Sequence, residues 1–225
     1  MEGNMKVFEG LHAFLWQSPS ANNCNTYLID GPRKILIDPG HQALFGHVEE
    51  GLAGIGLGIA DIDFVICTHG HPDHIEAVQS LRTATLRFAL HLDEWQWIDG
   101  VGRQMSAAFG IDVNNFEPDF FLKEGVLQIG ELSLVVYHTP GHSPGSICLH
   151  WPETGALFSG DVLFDQGIGR TDLPGGDGPK LKTSIKQLAG LKAAYLLPGH
   201  GNIIRKTAEV HRNFEQVESF YFAYI

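Results

Sequence analysis

The segment Thr68-His69-Gly70-His71-Pro72-Asp73-His74 follows directly on the apolar run Phe64-Val65-Ile66-Cys67, so a strand is predicted to end in a histidine-rich turn. The first two histidines are two positions apart in predicted extended backbone and would project to the same side. Asp73 and His74 are predicted to start a helix, which would direct them to a neighbouring point. Imidazole and carboxylate are ligands suited to Zn²⁺. The segment therefore predicts ligands for two adjacent metal ions.

Three more apolar runs end in turns that hold His or Asp. These turns are Thr139-Pro140-Gly141-His142-Ser143, Ser159-Gly160-Asp161 and Pro198-Gly199-His200-Gly201. Strand ends in an open layered sheet lie along one edge, so the four turns can converge on one crevice. We therefore predict two divalent cations, zinc ahead of iron or manganese. The predicted ligands are His69, His71 and His142 for one ion, Asp73, His74 and His200 for the other, and Asp161 shared between them.

The composition is typical of a globular protein with a sizeable core, because 44% of its 225 residues are hydrophobic and 18% are charged. No low-complexity linker interrupts the chain, so a single domain over residues 1–225 is predicted. The formal net charge of −11 would repel nucleic acid and anionic membrane surfaces, and neither is expected as a partner. A small-molecule substrate is expected, and bound cations could still attract an anionic one. The pattern does not predict an oligomeric state.

The cysteines and residues 1–6 indicate the cellular compartment of the protein. Cys24, Cys67 and Cys148 are far apart and form no CxxC pair, which favours a reducing compartment over a disulfide framework. Residues 1–6 lack the apolar segment of a secretory signal, and no run of 18 or more apolar residues occurs. A cytoplasmic location is therefore predicted.

Short apolar runs bounded by turn residues alternate with helical patterns, which predicts an α/β (α+β) layered fold. Strands are predicted at 25–29, 34–37, 64–67, 86–90, 132–137, 146–150, 156–159 and 194–197. Helices are predicted at 47–55, 74–81, 93–100, 181–191 and 208–220. Residues 165–179, rich in Gly, Pro and Asp, are predicted to form a long irregular loop, a kind of segment that is usually functional or mobile.

Three further residues are candidates for roles around the metals. Asp38, at the end of its own strand, is predicted to orient an imidazole, with a turn-forming role as the alternative. His91, at the end of another strand, could line the pocket. Arg170 could contact an anionic substrate or form an ion pair with Asp172 or Asp177.

In these motifs the sequence resembles the metallo-β-lactamase superfamily, from Ile35-Leu36-Ile37-Asp38-Pro39-Gly40 to Pro198-Gly199-His200-Gly201. Within it the chain is similar to short glyoxalase II-like (hydroxyacylglutathione hydrolase-like) hydrolases, because residues 160–164 and 169–177 are similar to their loop after the bridging aspartate. The resemblance implies a four-layer αβ/βα sandwich, with two sheets face to face, helices outside and the site along one edge.

The chain departs from two branches of that superfamily. Full-length glyoxalase II enzymes carry a C-terminal helical extension with basic residues that hold glutathione, whereas only 25 residues follow His200 here. The nuclease branch has a long insertion between the bridging aspartate and the last histidine, whereas only 38 residues separate Asp161 from His200. A matching glutathione site and nuclease activity are therefore not expected.

The leading hypothesis is a metal-dependent hydrolase, in which a hydroxide bound between two metals cleaves a thioester or a related small acyl substrate. Asp161 would bridge the metals, and Asp73 could handle protons besides acting as a ligand. Alternatives are a persulfide dioxygenase-like oxidoreductase with a single iron, a lactonase or β-lactamase-type hydrolase, and a non-catalytic binding module. A flavin-partnered diiron protein ranks lower, because that family places a carboxylate where His71 stands. Metal content and a substrate panel would separate these hypotheses.

Overall fold

Seven strands form the first of two β-sheets in the part of the chain that the structure describes. The structure is a computed structural model that describes residues 4–81, 85–108, 111–113 and 116–225, with the backbone alone at 105 and 106. The strands follow chain order: β1 Asn4–Phe8, β2 Leu11–Phe14, β3 Thr26–Asp30, β4 Lys34–Ile37, β5 Phe64–Ile66, β6 Arg87–His91 and β7 Phe120–Leu122. Pairing is antiparallel from β1 to β4 and parallel from β4 to β7.

The second sheet contains six of the described strands. In spatial order they are β15 Ile204–Arg205, β14 Tyr195–Pro198, β11 Ala156–Gly160, β10 Ile147–Trp151, β9 Leu132–His138 and β8 Gly125–Ile129. Only the β11–β14 pair is parallel among these described pairings. A small hairpin of β12 Leu163–Phe164 and β13 Gly167–Ile168 extends from the end of β11.

Both sheets are covered on two faces, because successive side chains of a strand point to opposite sides. Tyr27 and Ile29 of β3 join a core between the sheets, while Leu28 packs outward under helices. In the second sheet Phe158 of β11 joins the same central core, and Leu157 packs into a separate outer core. The predicted four-layer αβ/βα sandwich is confirmed.

Helices form the two outer layers. On the first sheet they are α1 Gly46–Gly54, α2 Pro72–Ile75, α3 Val78–Leu81 and α4 Leu92–Asp99, with α5 Arg103–Ala108 in contact with α4, and on the second α6 Gly178–Ala189 and α7 Thr207–Tyr221. Val210, Phe214 and Val217 of α7 are buried, the helical spacing that places apolar side chains on one face. Along the described ranges, none of the helices combines the length and apolarity needed to cross a membrane.

The structure corrects several of the predicted elements. The predicted helix 74–81 is two short helices, α2 and α3, and begins at Pro72, which suits a first helical turn because it lacks an N–H. The predicted loop 165–179 includes β13 and the start of α6. Strands β1, β2, β7, β8, β12 and β15 are absent from the predicted set, and each has five residues or fewer. Residues 1–3, part of the segment behind the cytoplasmic prediction, lie outside the described residues.

One edge of the sandwich collects the ends of several strands from both sheets. The backbone N–H of Ile147, at the start of β10, donates to the carbonyl of Thr68 just beyond β5 (2.9 Å). The backbone N–H of Asn25 donates to the carbonyl of Gly199 beyond β14 (2.6 Å), and Gly199 N–H donates to the Gly160 carbonyl (2.8 Å). The first two bonds join the two sheets, and the third joins the ends of β14 and β11, at the edge where the histidine-bearing turns emerge.

Candidate metal centre

The four turns predicted from the sequence meet at this edge and bring seven side chains together. The turn after β5 leads into α2, and single ligand candidates follow β9, β11 and β14. Gly199 lies against the group so closely that a Cβ there would overlap a carboxylate oxygen of Asp161. The members of the group are His69, His71, Asp73, His74, His142, Asp161 and His200.

Three of the histidines form a first triad. His71 Nδ1 lies 3.1 Å from His69 Nε2 and 2.8 Å from His142 Nε2. The three rings meet at interplanar angles of 80° to 88°, so their nitrogens converge on one point instead of stacking. All three side chains are buried. This is the geometry that three imidazole ligands of one ion require.

A second triad adjoins the first, and one carboxylate faces both. His200 Nε2 lies 3.3 Å from His74 Nε2 and 3.3 Å from Asp73 Oδ2. Asp161 lies between the triads, with Oδ1 3.2 Å from His74 Nε2 and Oδ2 3.5 Å from His142 Nε2 and 3.3 Å from His200 Nε2. The two groupings are those assigned from the sequence.

Hydrogen bonds behind the rings fix which nitrogen of each ring carries a proton. His74 Nδ1 lies 3.0 Å from Asp38 Oδ2, and His142 Nδ1 lies 2.7 Å from the Arg170 carbonyl oxygen. Both oxygens can only accept, so each Nδ1 donates and each Nε2 faces the centre.

His69 is held in the same way through a hydroxyl. The Thr68 hydroxyl donates to Asp38 Oδ2 (2.7 Å), so its oxygen accepts from His69 Nδ1 at 3.1 Å. Asp38 therefore orients His74 directly and His69 through Thr68. It does so from a left-handed backbone conformation (φ 52°), which aspartate tolerates better than most residues.

The centre requires positive charge. Burial and neighbouring His142 lower the pKa of His71 to about 4, which leaves this ring neutral at pH 7. Burial opposes protonation of His200, but Asp161 and Asp73 outweigh it and raise its pKa to about 9. Asp161 Oδ1 is buried without a hydrogen-bond partner among the described residues. Divalent cations fit these residues, since they would replace protons at the carboxylates and occupy the inward-facing nitrogens.

A cavity of about 680 Å³ opens over the centre. Its floor is formed by His71, Asp73, His142, Asp161 and His200, and its walls by Asn22, His41, Pro72, Phe164, Ile168, Arg170 and Leu173. A small molecule could therefore reach both triads from one side, against a wall that is mainly apolar on the β12–β13 side.

Comparison with known proteins fits this geometry. Residues 19–200 match the model of the metallo-beta-lactamase superfamily. The chain belongs to the metallo-beta-lactamase superfamily. It is 35% identical over 186 residues to the probable metallo-hydrolase YqgX of Bacillus subtilis, covering 78% of this chain and 83% of that protein. It is 32% identical over 191 residues to the hydroxyacylglutathione hydrolase GloC of Haemophilus influenzae, covering 80% and 85%.

A solved structure with bound metal is also similar to this chain in fold and in sequence. TTHA1623, crystallised in a di-iron-bound form, superposes with a TM-score of 0.70 at 32% identity, covering 88% of this chain and 96% of that one. The chain described here is therefore a metal-dependent hydrolase, with His and Asp clusters suited to divalent metal ions.

Arg170 forms the ion pair with Asp172 that was the predicted alternative, whereas His91 lies apart from the cavity lining. Arg170 lines the cavity, but its guanidinium donates to both carboxylate oxygens of Asp172 (2.8 and 2.7 Å). Its backbone carbonyl accepts from His142 Nδ1. His91 is not among the described residues that line the cavity. Its Nδ1 accepts from the Asp93 N–H at the start of α4 (3.2 Å), and its ring stacks on His138 at 4.3 Å and 15°. Together with Asp93, the two histidines form a further group whose ligand atoms lie within 4.8 Å of one another, apart from the residues that line the cavity.

Two residues near the centre were missed. Asn22 Nδ2 donates to Asp73 Oδ2 (2.7 Å) from a loop with no sequence signal. Glu94 of α4 is fully buried beside the first triad. Burial raises the pKa of Glu94, opposed by hydrogen bonds from Ser143, Gly70 and Gly145. Glu94 and Ile98, four apart, share the buried face of α4, but the structure alone shows which face that is.

Proposed function

We propose that this chain hydrolyses a thioester or a related small acyl compound with two divalent cations. His69, His71 and His142 would hold one cation, Asp73, His74 and His200 the other, and Asp161 would contact both. The observation that carries the proposal is the position of Asp161, whose two oxygens face both triads at the floor of an open cavity. Similarity to GloC, a hydroxyacylglutathione hydrolase, supports the choice of an acyl substrate.

Cations at these positions would supply a water activated for attack on a carbonyl carbon near neutral pH, and a Lewis acid for the carbonyl oxygen. The chain's own residues hold this centre in place. Asp38 and the Arg170 carbonyl direct imidazole nitrogens inward, and Asn22 fixes the Asp73 carboxylate by donating to Oδ2. Neighbouring imidazoles lower the pKa of Asp73 despite its burial, so its main role is that of an anionic ligand.

The cavity walls suit an acyl compound. Phe164, Ile168 and Leu173 provide an apolar surface beside the floor, where an acyl chain would exclude water from the reacting carbonyl. A thioester also fits this cavity, since a thiolate leaves without taking up a proton. The proposal includes a cytoplasmic location and a small-molecule substrate.

Elemental analysis of protein purified without added metal, followed by a substrate panel, tests the proposal. We expect two equivalents of zinc, or of iron as in TTHA1623, and hydrolysis of thioesters. Asp161→Asn should lose at least one metal equivalent and nearly all activity. Asp99→Asn, which changes an exposed carboxylate on α4 outside the cavity, should behave as wild type.

Other results would favour the alternatives. One iron per chain with oxygen consumed on adding a persulfide would make the chain a persulfide dioxygenase-like oxidoreductase. Hydrolysis confined to lactones or β-lactams would move it to the cyclic-substrate class. Two bound metals with no turnover of any thioester, lactone, lactam or phosphoester would favour a binding module.

A further inference from the structure

Glu94 joins the two loops that carry the first triad. Its Oε1 accepts from the backbone N–H of Gly70 at 2.8 Å, and Gly70 lies between two ligand candidates. Its Oε2 accepts from the Ser143 hydroxyl at 2.8 Å and from the Gly145 N–H at 2.7 Å, both just after His142. One carboxylate therefore spans loops that are far apart in sequence.

Helix α4 fits tightly against both loops. A Cβ on Gly70 would lie 3.1 Å from Glu94 Oε1 and overlap the Ile98 side chain, and a Cβ on Gly145 would overlap the backbone of Glu94. These two glycines allow the close approach that places backbone N–H groups on the carboxylate. The contact is therefore specific to the shape of this helix and these loops.

The second triad is held by other groups. Asn22 donates to Asp73 Oδ2, Asp38 faces His74 Nδ1, and the described hydrogen bonds of the Glu94 carboxylate go only to the loops of the first triad. Burying an unpaired carboxylate is costly, and three fixed donors offset that cost only while both loops stay in place. The stabilisation that these three hydrogen bonds provide therefore depends on the relative position of the two loops that carry His69, His71 and His142.

We propose that Glu94 is a positioning residue that sets the metal affinity of the His69, His71 and His142 triad separately from that of the other triad. The inference rests on the ligand assignment of the proposed function. In Glu94→Gln the side chain keeps its size, but an NH₂ group replaces an acceptor and faces backbone or hydroxyl donors. The two loops then lose at least one of their shared hydrogen bonds and separate.

The test is a cobalt titration of metal-free protein, followed by its visible absorption and by competition with a chelator. Wild type should bind two equivalents. Glu94→Gln should weaken one equivalent by about 10- to 100-fold, as loss of a ligand-supporting partner usually does, and leave the other unchanged. Ser143→Ala, which removes a single donor, should weaken the same equivalent less. Glu131→Gln changes an exposed glutamate in the β8–β9 turn and should match wild type.

A variant of Asn22 tests the second triad in the same way. Asn22→Ala should weaken the other equivalent, because its amide contacts Asp73 of the second triad. Equal weakening of both equivalents in Glu94→Gln, or unchanged affinity, would overturn the inference. If Glu94→Gln does not fold, Ser143→Ala decides by the same criteria. A wild-type protein that binds no cobalt would instead refute the ligand assignment, so the two failures are distinguishable.

Discussion

Replacing Asp38 by Asn should reverse the hydrogen bonds that direct two imidazoles toward the centre. The Asp38 carboxylate accepts from Thr68 N and Oγ1, both at 2.7 Å, and from His74 Nδ1 at 3.0 Å. In the variant the amide oxygen can keep the bond from Thr68 N. The NH₂ group then donates where Oδ2 accepted, so His74 must accept at Nδ1 and carry its proton on Nε2.

The reversal continues through Thr68. Its hydroxyl would accept from the new NH₂ group and turn its own proton to His69 Nδ1, which moves the His69 proton to Nε2 as well. Loss of such supporting partners costs about 10- to 100-fold in metal affinity, or about 1.4–2.8 kcal/mol at each ion. The lost charge-assisted bond should also lower the free energy of unfolding of the metal-free protein by about 1.5–3 kcal/mol.

Chelator competition and chemical unfolding would measure both effects in Asp38→Asn. Asparagine tolerates the left-handed conformation at this position, so the backbone should be preserved and the comparison stays local. Asp99→Asn serves as the matched control on an exposed surface. Wild-type metal affinity together with wild-type stability in Asp38→Asn would refute the proposed direction of these hydrogen bonds.

Three further predictions concern the cavity and its charge. Gly199→Ala should reduce metal content and activity at least tenfold, because its Cβ would overlap the Asp161 carboxylate. The control Gly190→Ala, whose Cβ would meet no atom within 4 Å, should leave both unchanged, and equal activities of the two variants would contradict the prediction. Asp172→Asn should free Arg170 and raise kcat/KM for carboxylate-bearing thioesters relative to neutral ones, and an unchanged ratio in paired assays would count against it. Without metal the pKa of His200 is about 9, so zinc must displace a proton from this ring at lower pH. Zinc affinity should therefore rise about tenfold per pH unit as pH increases toward 9. A zinc affinity that stays constant in competition titrations from about pH 6 to about pH 9 would contradict that sign.

The cluster of seven His and Asp side chains could be predicted from sequence because its signals are local. Each candidate, from His69 to His200, comes in a short turn at the end of an apolar strand, and strand ends share an edge in this kind of sheet. Asp38 follows the same rule at the end of β4, so its place next to His74 could also be anticipated. The layered fold followed from the alternation of strands and helices.

Other features depend on packing between distant segments. Glu94 lies in a helix whose pattern does not show which face is buried, and its three donors come from two remote loops. Asn22 reaches Asp73 from an irregular segment that carries no periodic signal. His91 has the sequence context of a strand-end ligand, yet it stacks on His138 because β6 and β9 bring the two rings together outside the cavity. Strand β1 pairs only at one side, so its exposed positions are polar and its pattern is weak.

Anomalous X-ray scattering from crystals of protein purified without added metal, recorded at the absorption edge of the metal that elemental analysis identifies, tests the central claim most directly. We predict two peaks, one in contact with His69, His71 and His142, the other with Asp73, His74 and His200, and Asp161 touching both. A map with no peak among these seven side chains, from protein that still turns over substrate, would contradict it.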